Sequence, residues 1–163
     1  MKKLTYLLML LLFLSFAACS SDDNGTEPIP EPDPWLGTWL SEGSNVAPIL
    51  VNLFKYDSVK VTMNEDKTVK LETHIQGGAW SEINGVFNVT KSTTGDVHSI
   101  SIDYSAFAQS GIVQIIKGTP DQMKLEVVQT TPDIGAVPRT PQSGFGSDPA
   151  LGNLNIQVYV RLK

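Results

Sequence analysis

This chain of 163 residues contains one cysteine and two histidines, and these shortages exclude more chemistry than its motifs suggest. A lone cysteine can form neither an internal disulfide nor a Cys-x-x-Cys redox or zinc pair. His74 and His98 fall on separate predicted strands, with no thiol or carboxylate pair beside them, so no metal site is expected. There is no Gly-x-Ser-x-Gly elbow, phosphate-binding loop or Cys–His pair, and neither histidine is flanked by a nucleophile at a recognisable spacing. Positive charge is also scarce. Twelve Lys and Arg stand against 17 Asp and Glu, for a net charge of −5 and no basic cluster, which argues against nucleic acid as a partner. These absences predict a protein that is not an enzyme and needs no cofactor.

The N-terminus carries the strongest local signal. Met1-Lys2-Lys3 is positive, and residues 4–18 are almost wholly apolar. Ala17-Ala18 precedes Cys19, and Ser20-Ser21-Asp22-Asp23-Asn24 turns abruptly polar. The apolar run is shorter than the about 20 residues needed to span a bilayer, and the pattern reads as a secretory signal over residues 1–18. It resembles a bacterial lipoprotein signal. That resemblance implies acylation of Cys19 with palmitate-type chains, each buried methylene contributing about 0.8 kcal/mol to membrane attachment. The residues after Cys19 resemble the acidic export tag of Bacteroidota lipoproteins, which implies attachment to the outer membrane and display to the exterior. Residues 19–34 then form a tether. Glu27-Pro28-Ile29-Pro30-Glu31-Pro32-Asp33-Pro34 has few backbone donors and favours extended polyproline geometry.

Residues 35–163 are the size of one domain, and period-two alternation dominates them. Val59, Val61 and Met63 share one face of a strand, and Val69, Leu71, Thr73 and Ile75 resume the pattern after a turn at Asn64-Glu65-Asp66-Lys67. Further strands are marked by Phe87 and Val89, by His98 to Tyr104, by residues 112–117 and by residues 123–130. In the last strand Leu154, Ile156, Val158, Val160 and Leu162 alternate with Asn155, Gln157, Tyr159 and Arg161. With residues 36–41 this makes about eight strands in an antiparallel meander, closed as a barrel or packed as a sandwich. Residues 47–56 break the rhythm. Ile49, Leu50, Leu53 and Phe54 recur at helical spacing, with Asn45 as a candidate cap and Pro48 in the first turn, although a buried strand is the alternative. Residues 131–152, with four prolines and four glycines, read as a long ordered flap in which Ile134, Val137, Phe145 and Leu151 pack onto the domain.

Gly37-Thr38-Trp39 opens the first strand, and Arg161 lies near the end of the last. This Gly-x-Trp resembles the signature of lipocalins and their calycin relatives, and the whole domain is similar to the lipocalin-like lipoproteins of Bacteroidota. The resemblance implies an all-β, antiparallel up-and-down barrel of about eight strands with one short helix after the first strand. It also implies that Gly37, Trp39 and Arg161 pack together at the closed barrel end, where indole over guanidinium is a favourable cation–π pair.

A barrel of about eight strands is just wide enough to be filled by side chains or to hold one small ligand. Tyr56, Trp80, Phe87, Tyr104 and Phe107 are the aromatic candidates for a cavity or its mouth. The helix and the 131–152 loop are expected around the open end. The function expected is therefore a membrane-anchored binding protein for a small apolar or amphipathic ligand. The alternative is a protein-interaction module, an envelope assembly factor or protease inhibitor, working through the 131–152 loop. A glycan hydrolase would need a convergent carboxylate pair that the sequence does not display. His74 shares a face with Lys70 and Glu72 and is expected to be solvated, whereas His98 falls on an apolar face. Glu65-Asp66 reads as a solvated turn rather than a calcium site, and Asp57-Ser58-Val59 resembles a short O-glycosylation motif.

Overall fold

A computed structural model describes residues 31–163; the leader, Cys19 and most of the tether lie outside the described residues. Eight strands run β1 (Gly37–Glu42), β2 (Tyr56–Met63), β3 (Thr68–Ile75), β4 (Ser81–Thr90), β5 (Val97–Asp103), β6 (Ala108–Ile116), β7 (Gln122–Thr131) and β8 (Ile156–Arg161). Each pairs antiparallel with the next. β8 returns to β1 through Trp39↔Arg161 and Leu40↔Val160, so the sheet closes into a barrel rather than a sandwich. Closure satisfies the backbone groups that an open edge would leave exposed.

Local chemistry accounts for the elements. The β2–β3 hairpin turns at Asn64 to Lys67, where Asp66 Oδ1 accepts from both the Thr68 amide and the Thr68 hydroxyl and Lys67 adopts a φ of 67°. Residues 47–56 contain the helix α1 (Pro48–Phe54) rather than a strand. Pro48 occupies its first turn, where a missing N–H costs nothing. Asn45 does not cap it. Asn45 ends a short 3₁₀ turn, and the N-cap is Ala47, whose N–H donates to Gln157 Oε1 across the barrel at 3.0 Å. Lys55, in the left-handed region, ends the helix.

Two strands depart from the simple rule that apolar residues turn inward. In β8 the buried positions are Gln157 and Tyr159, while Ile156, Val158 and Val160 lie on the opposite face. In β6 both Val113 and Ile112 are fully buried, on opposite faces of one strand. Ile112 is opposite Glu126, which is also buried and accepts from the Gly146 N–H at 2.8 Å. The segment 132–151 therefore lies against the outer wall of the barrel. Phe145 packs there under the Lys124 ammonium, 4.4 Å from its ring. Ile134 and Val137, expected to pack, are instead 63% and 64% exposed.

One end of the barrel is closed. Trp39 is fully buried, its indole N–H donates to the Trp35 carbonyl (2.8 Å), and the Arg161 guanidinium stands 4.1 Å from its ring. Arg161 donates from Nη1 to the Leu36 carbonyl (2.7 Å) and from Nη2 to the Pro34 carbonyl (2.5 Å). Gly37 makes room for it. At a φ of 114°, a Cβ there would stand 2.9 Å from Arg161 Nη1. Met63, Val69, Phe87, Val113 and Met123 fill the interior above this plug.

Candidate functional site

The other half of the interior is not filled. A cavity of about 330 Å³ lies between the ends of β2, β3, β5, β6, β7 and β8 and the helix α1. This is at the low end of the roughly 300–1,000 Å³ typical of small-molecule sites. Its apolar surface comes from Val59, Val61, Leu71, Ile102, Leu125 and Val127, with Leu50 and Phe54 supplied by α1. Tyr56 stacks on Phe54 with ring centroids 5.5 Å apart, and Phe107 lies 4.8 Å from the Tyr104 ring; all four border the cavity.

Polar groups enter the same space. Gln109 and Gln129 face each other across β6 and β7, and Asn155, Gln157 and Tyr159 come from the inward face of β8 and the turn before it. Asn155 Nδ2 donates to the Val127 carbonyl (2.7 Å) and Gln129 Nε2 to the Pro132 carbonyl (3.0 Å). Gln157 is 4% exposed; its Oε1 accepts from Ala47, and its Nε2 has no partner. None of the lining residues is acidic, basic or histidine. Burial pushes the Tyr104 and Tyr159 phenols well above their ordinary value; the nearby Tyr104 raises Tyr159 further and the Gln157 amide draws it partly back. Both therefore remain neutral hydroxyls at any physiological pH.

No family model, curated protein or solved structure matches this chain.

The geometry of the site thus rests on its own residues. Of the five aromatic candidates, Tyr56, Tyr104 and Phe107 border the cavity and the other two do not. Phe87 is buried in the filled half of the barrel, beneath the Lys67 ammonium. Trp80 precedes β4 and is 45% exposed, with Lys60 Nζ 5.0 Å from its ring and the His74 ring at 5.2 Å. A strand-start aromatic looks the same in sequence whichever way it points. The expectation that the 131–152 loop surrounds the open end is also corrected, because none of residues 131–151 lines the cavity. The loop leaves β7 and turns down the outside, where its Gly146 N–H meets Glu126.

The amide and phenol groups of the site are the residues that the alternation pattern hides. One signal does locate two of them. If Arg161 packs on Trp39 inside the barrel, then Tyr159 and Gln157 must share its face, because strand side chains repeat every two residues. Gly85 is a further positioning residue. A Cβ there would press on the Asp103 carbonyl and stand 2.9 Å from Tyr104 Cδ1, so glycine is what allows the Tyr104 ring its place.

The two histidines lie outside the cavity. His98 meets the edge of Trp35 (5.8 Å) and its Nδ1 accepts from the Ser92 N–H. His74 Nδ1 is 2.6 Å from Asp57 Oδ1, and this contact is the main cause of a lowered Asp57 carboxyl pKa. Among the described residues, no group of three His, Cys, Asp or Glu side chains is placed to hold a metal ion.

Proposed function

We propose that this protein is a non-enzymatic binding protein that holds one small apolar or amphipathic molecule in the open half of its barrel. The observation that carries this reading is the cavity of about 330 Å³, with a largely apolar wall, inside the barrel. Apolar side chains make up most of its wall and would supply affinity by burial, while a few fixed amides and phenols would orient the guest. We further propose that Cys19 carries acyl chains that attach the chain to the outer membrane, facing outward, and that residues 20–34 hold the barrel clear of the lipid. The lone cysteine between Ala18 and Ser20 supports this part.

Native mass spectrometry of the protein taken from its own membrane tests both halves. The expected spectrum shows a mass increment on the N-terminal peptide consistent with acylation at Cys19, together with a noncovalent small-molecule adduct. An unmodified Cys19 removes the anchor. A bare polypeptide mass, even under the gentlest activation, removes the ligand.

The exposed Ile134 and Val137 favour a second reading, in which the 131–152 segment is a protein-docking loop. Replacing both with serine leaves the Glu126 contact untouched, so the barrel should stay folded. If the double variant loses a partner that co-purifies with the wild type while keeping its small-molecule adduct, the docking reading is the better one.

A further inference from the structure

The strongest unexplained feature inside the barrel is the side-chain amide of Gln157. Its orientation is fixed by chemistry: the Ala47 N–H can only donate, so the Gln157 oxygen must face it, and Nε2 is the end left over. Gln157 is 4% exposed and lines the cavity; its Nε2 lies near enough to the Tyr159 hydroxyl to draw that phenol's burial-raised pKa partly back, yet meets no partner in hydrogen-bond geometry. An unsatisfied buried donor is costly and is normally paired by protein, water or ligand. Two more groups able to donate, the Tyr104 and Tyr159 hydroxyls, border the same cavity and are kept neutral by burial.

The wall also shows what the guest is not. A carboxylate, phosphate or ammonium inside this cavity would be desolvated without an opposite charge, because no lining residue is ionised. A pure hydrocarbon would leave the Gln157 donor unpaired. We propose that the ligand is an uncharged amphiphile bearing a carbonyl oxygen, such as an ester, amide or ketone, and that this oxygen accepts a hydrogen bond from Gln157 Nε2. Tyr104 and Tyr159 flank this polar group, while the apolar part lies against Leu50, Phe54, Phe107 and Val127. This assignment rests on the reading of the cavity as a ligand site. It also gives the helix a role, since the same Gln157 amide that would hold the ligand holds the start of α1 through Ala47.

Three probes with matched chains test the assignment on the full-length protein in lipid nanodiscs, with empty nanodiscs as the partition control. Decane offers no acceptor, methyl decanoate a neutral carbonyl and decanoate a charge. Methyl decanoate should bind roughly tenfold or more tightly than either of the others, the scale of discrimination expected from a buried donor left unpaired by the wrong ligand. It should also shift the Gln157 side-chain amide resonances. Gln157→Met should erase the difference between methyl decanoate and decane, weakening the ester and, because no buried donor is left unpaired, strengthening decane. If Gln157→Met disturbs the helix by losing the Ala47 contact, Tyr159→Phe, which keeps that contact, should still weaken methyl decanoate selectively. Equal binding of all three probes, indifferent to both substitutions, would overturn the carbonyl assignment and leave the cavity reading standing. Tightest binding of decanoate would also overturn it. If no probe binds, the cavity reading fails first and this assignment goes with it.

Discussion

The two halves of the barrel are built from the same eight strands and solve opposite problems. At the closed end Trp39, Met63, Val69, Phe87, Val113 and Met123 are all at most 3% exposed, and Arg161 seals the plug with two hydrogen bonds to backbone carbonyls. At the open end the same strands turn Gln109, Gln129, Gln157, Tyr104 and Tyr159 into a space they do not fill. The closed half is filled by apolar side chains, although the buried Trp35 Nε1 there also has no partner. The open half breaks the rule that a core is apolar and dense, and a break of that kind in an otherwise consistent fold marks function better than any single residue type does.

Matched truncations should expose the difference most strongly. Phe87→Ala, in the filled half, should cost about 3–5 kcal/mol of stability in urea denaturation. Phe107→Ala, at the cavity wall, should cost only about 1–2 kcal/mol, because one side of that ring already lacks packing partners. Equal losses would mean that the two halves are packed alike. Arg161→Met should cost about 2 kcal/mol, since it keeps the stem but strips the Leu36 and Pro34 carbonyls of their donors. In the open half the sign should reverse. Gln109→Leu should leave stability unchanged or raise it by up to about 1 kcal/mol while weakening ligand uptake, the trade expected where a polar group is kept for binding.

Acid should separate the halves more gently. Asp121, beside Arg161 at the closed end, has its carboxyl lowered from 3.8, chiefly by the Gly118 N–H, with Lys117 and Arg161 contributing. A lowered folded value stabilises the native state fully above the unfolded value and is lost as pH falls through the folded one. Stability should therefore decline below about pH 4, and Asp121→Asn should make that limb slightly shallower in pH-dependent denaturation curves, since the lowered carboxyls of Asp33, Asp57, Asp66, Glu72 and Asp148 still contribute to it. Uptake of an uncharged probe should be constant between roughly pH 5 and 9, because no carboxylate, amine or imidazole lines the cavity and burial raises the Tyr104 and Tyr159 phenols.

The strands were legible in the sequence because alternation is a local property: Val59, Val61 and Met63 announce their strand without reference to any other. Closure into a barrel rather than a sandwich was implied only by the Gly-x-Trp resemblance. Trp39 and Arg161 lie more than a hundred residues apart, yet each marks its end of the meander, and the chain brings them within van der Waals reach. The site was only partly legible. Tyr56, Tyr104 and Phe107 were visible as aromatics, but Trp80 and Phe87 are the same kind of residue and sit elsewhere. Gln157 was hidden because β8 buries its polar face, and burial of that face is decided by closure against β1 and by the cavity, neither of which is local. The loop over residues 132–151 misled for a related reason. Its length and glycines signal an excursion, but its destination depends on Glu126 and Ile112, outward residues that read as ordinary strand positions.

The central claim, that the open half is a ligand chamber, is tested most directly by plugging it. Val127→Trp places an indole in the cavity from β7, leaving the closed end, α1 and the outer loop unaltered in sequence. Titration with the neutral fluorophore N-phenyl-1-naphthylamine should show one saturable site in the wild type and none in the variant, with the variant's thermal unfolding temperature unchanged or raised. Identical titrations of the two proteins, or no saturable binding to the wild type, would contradict it.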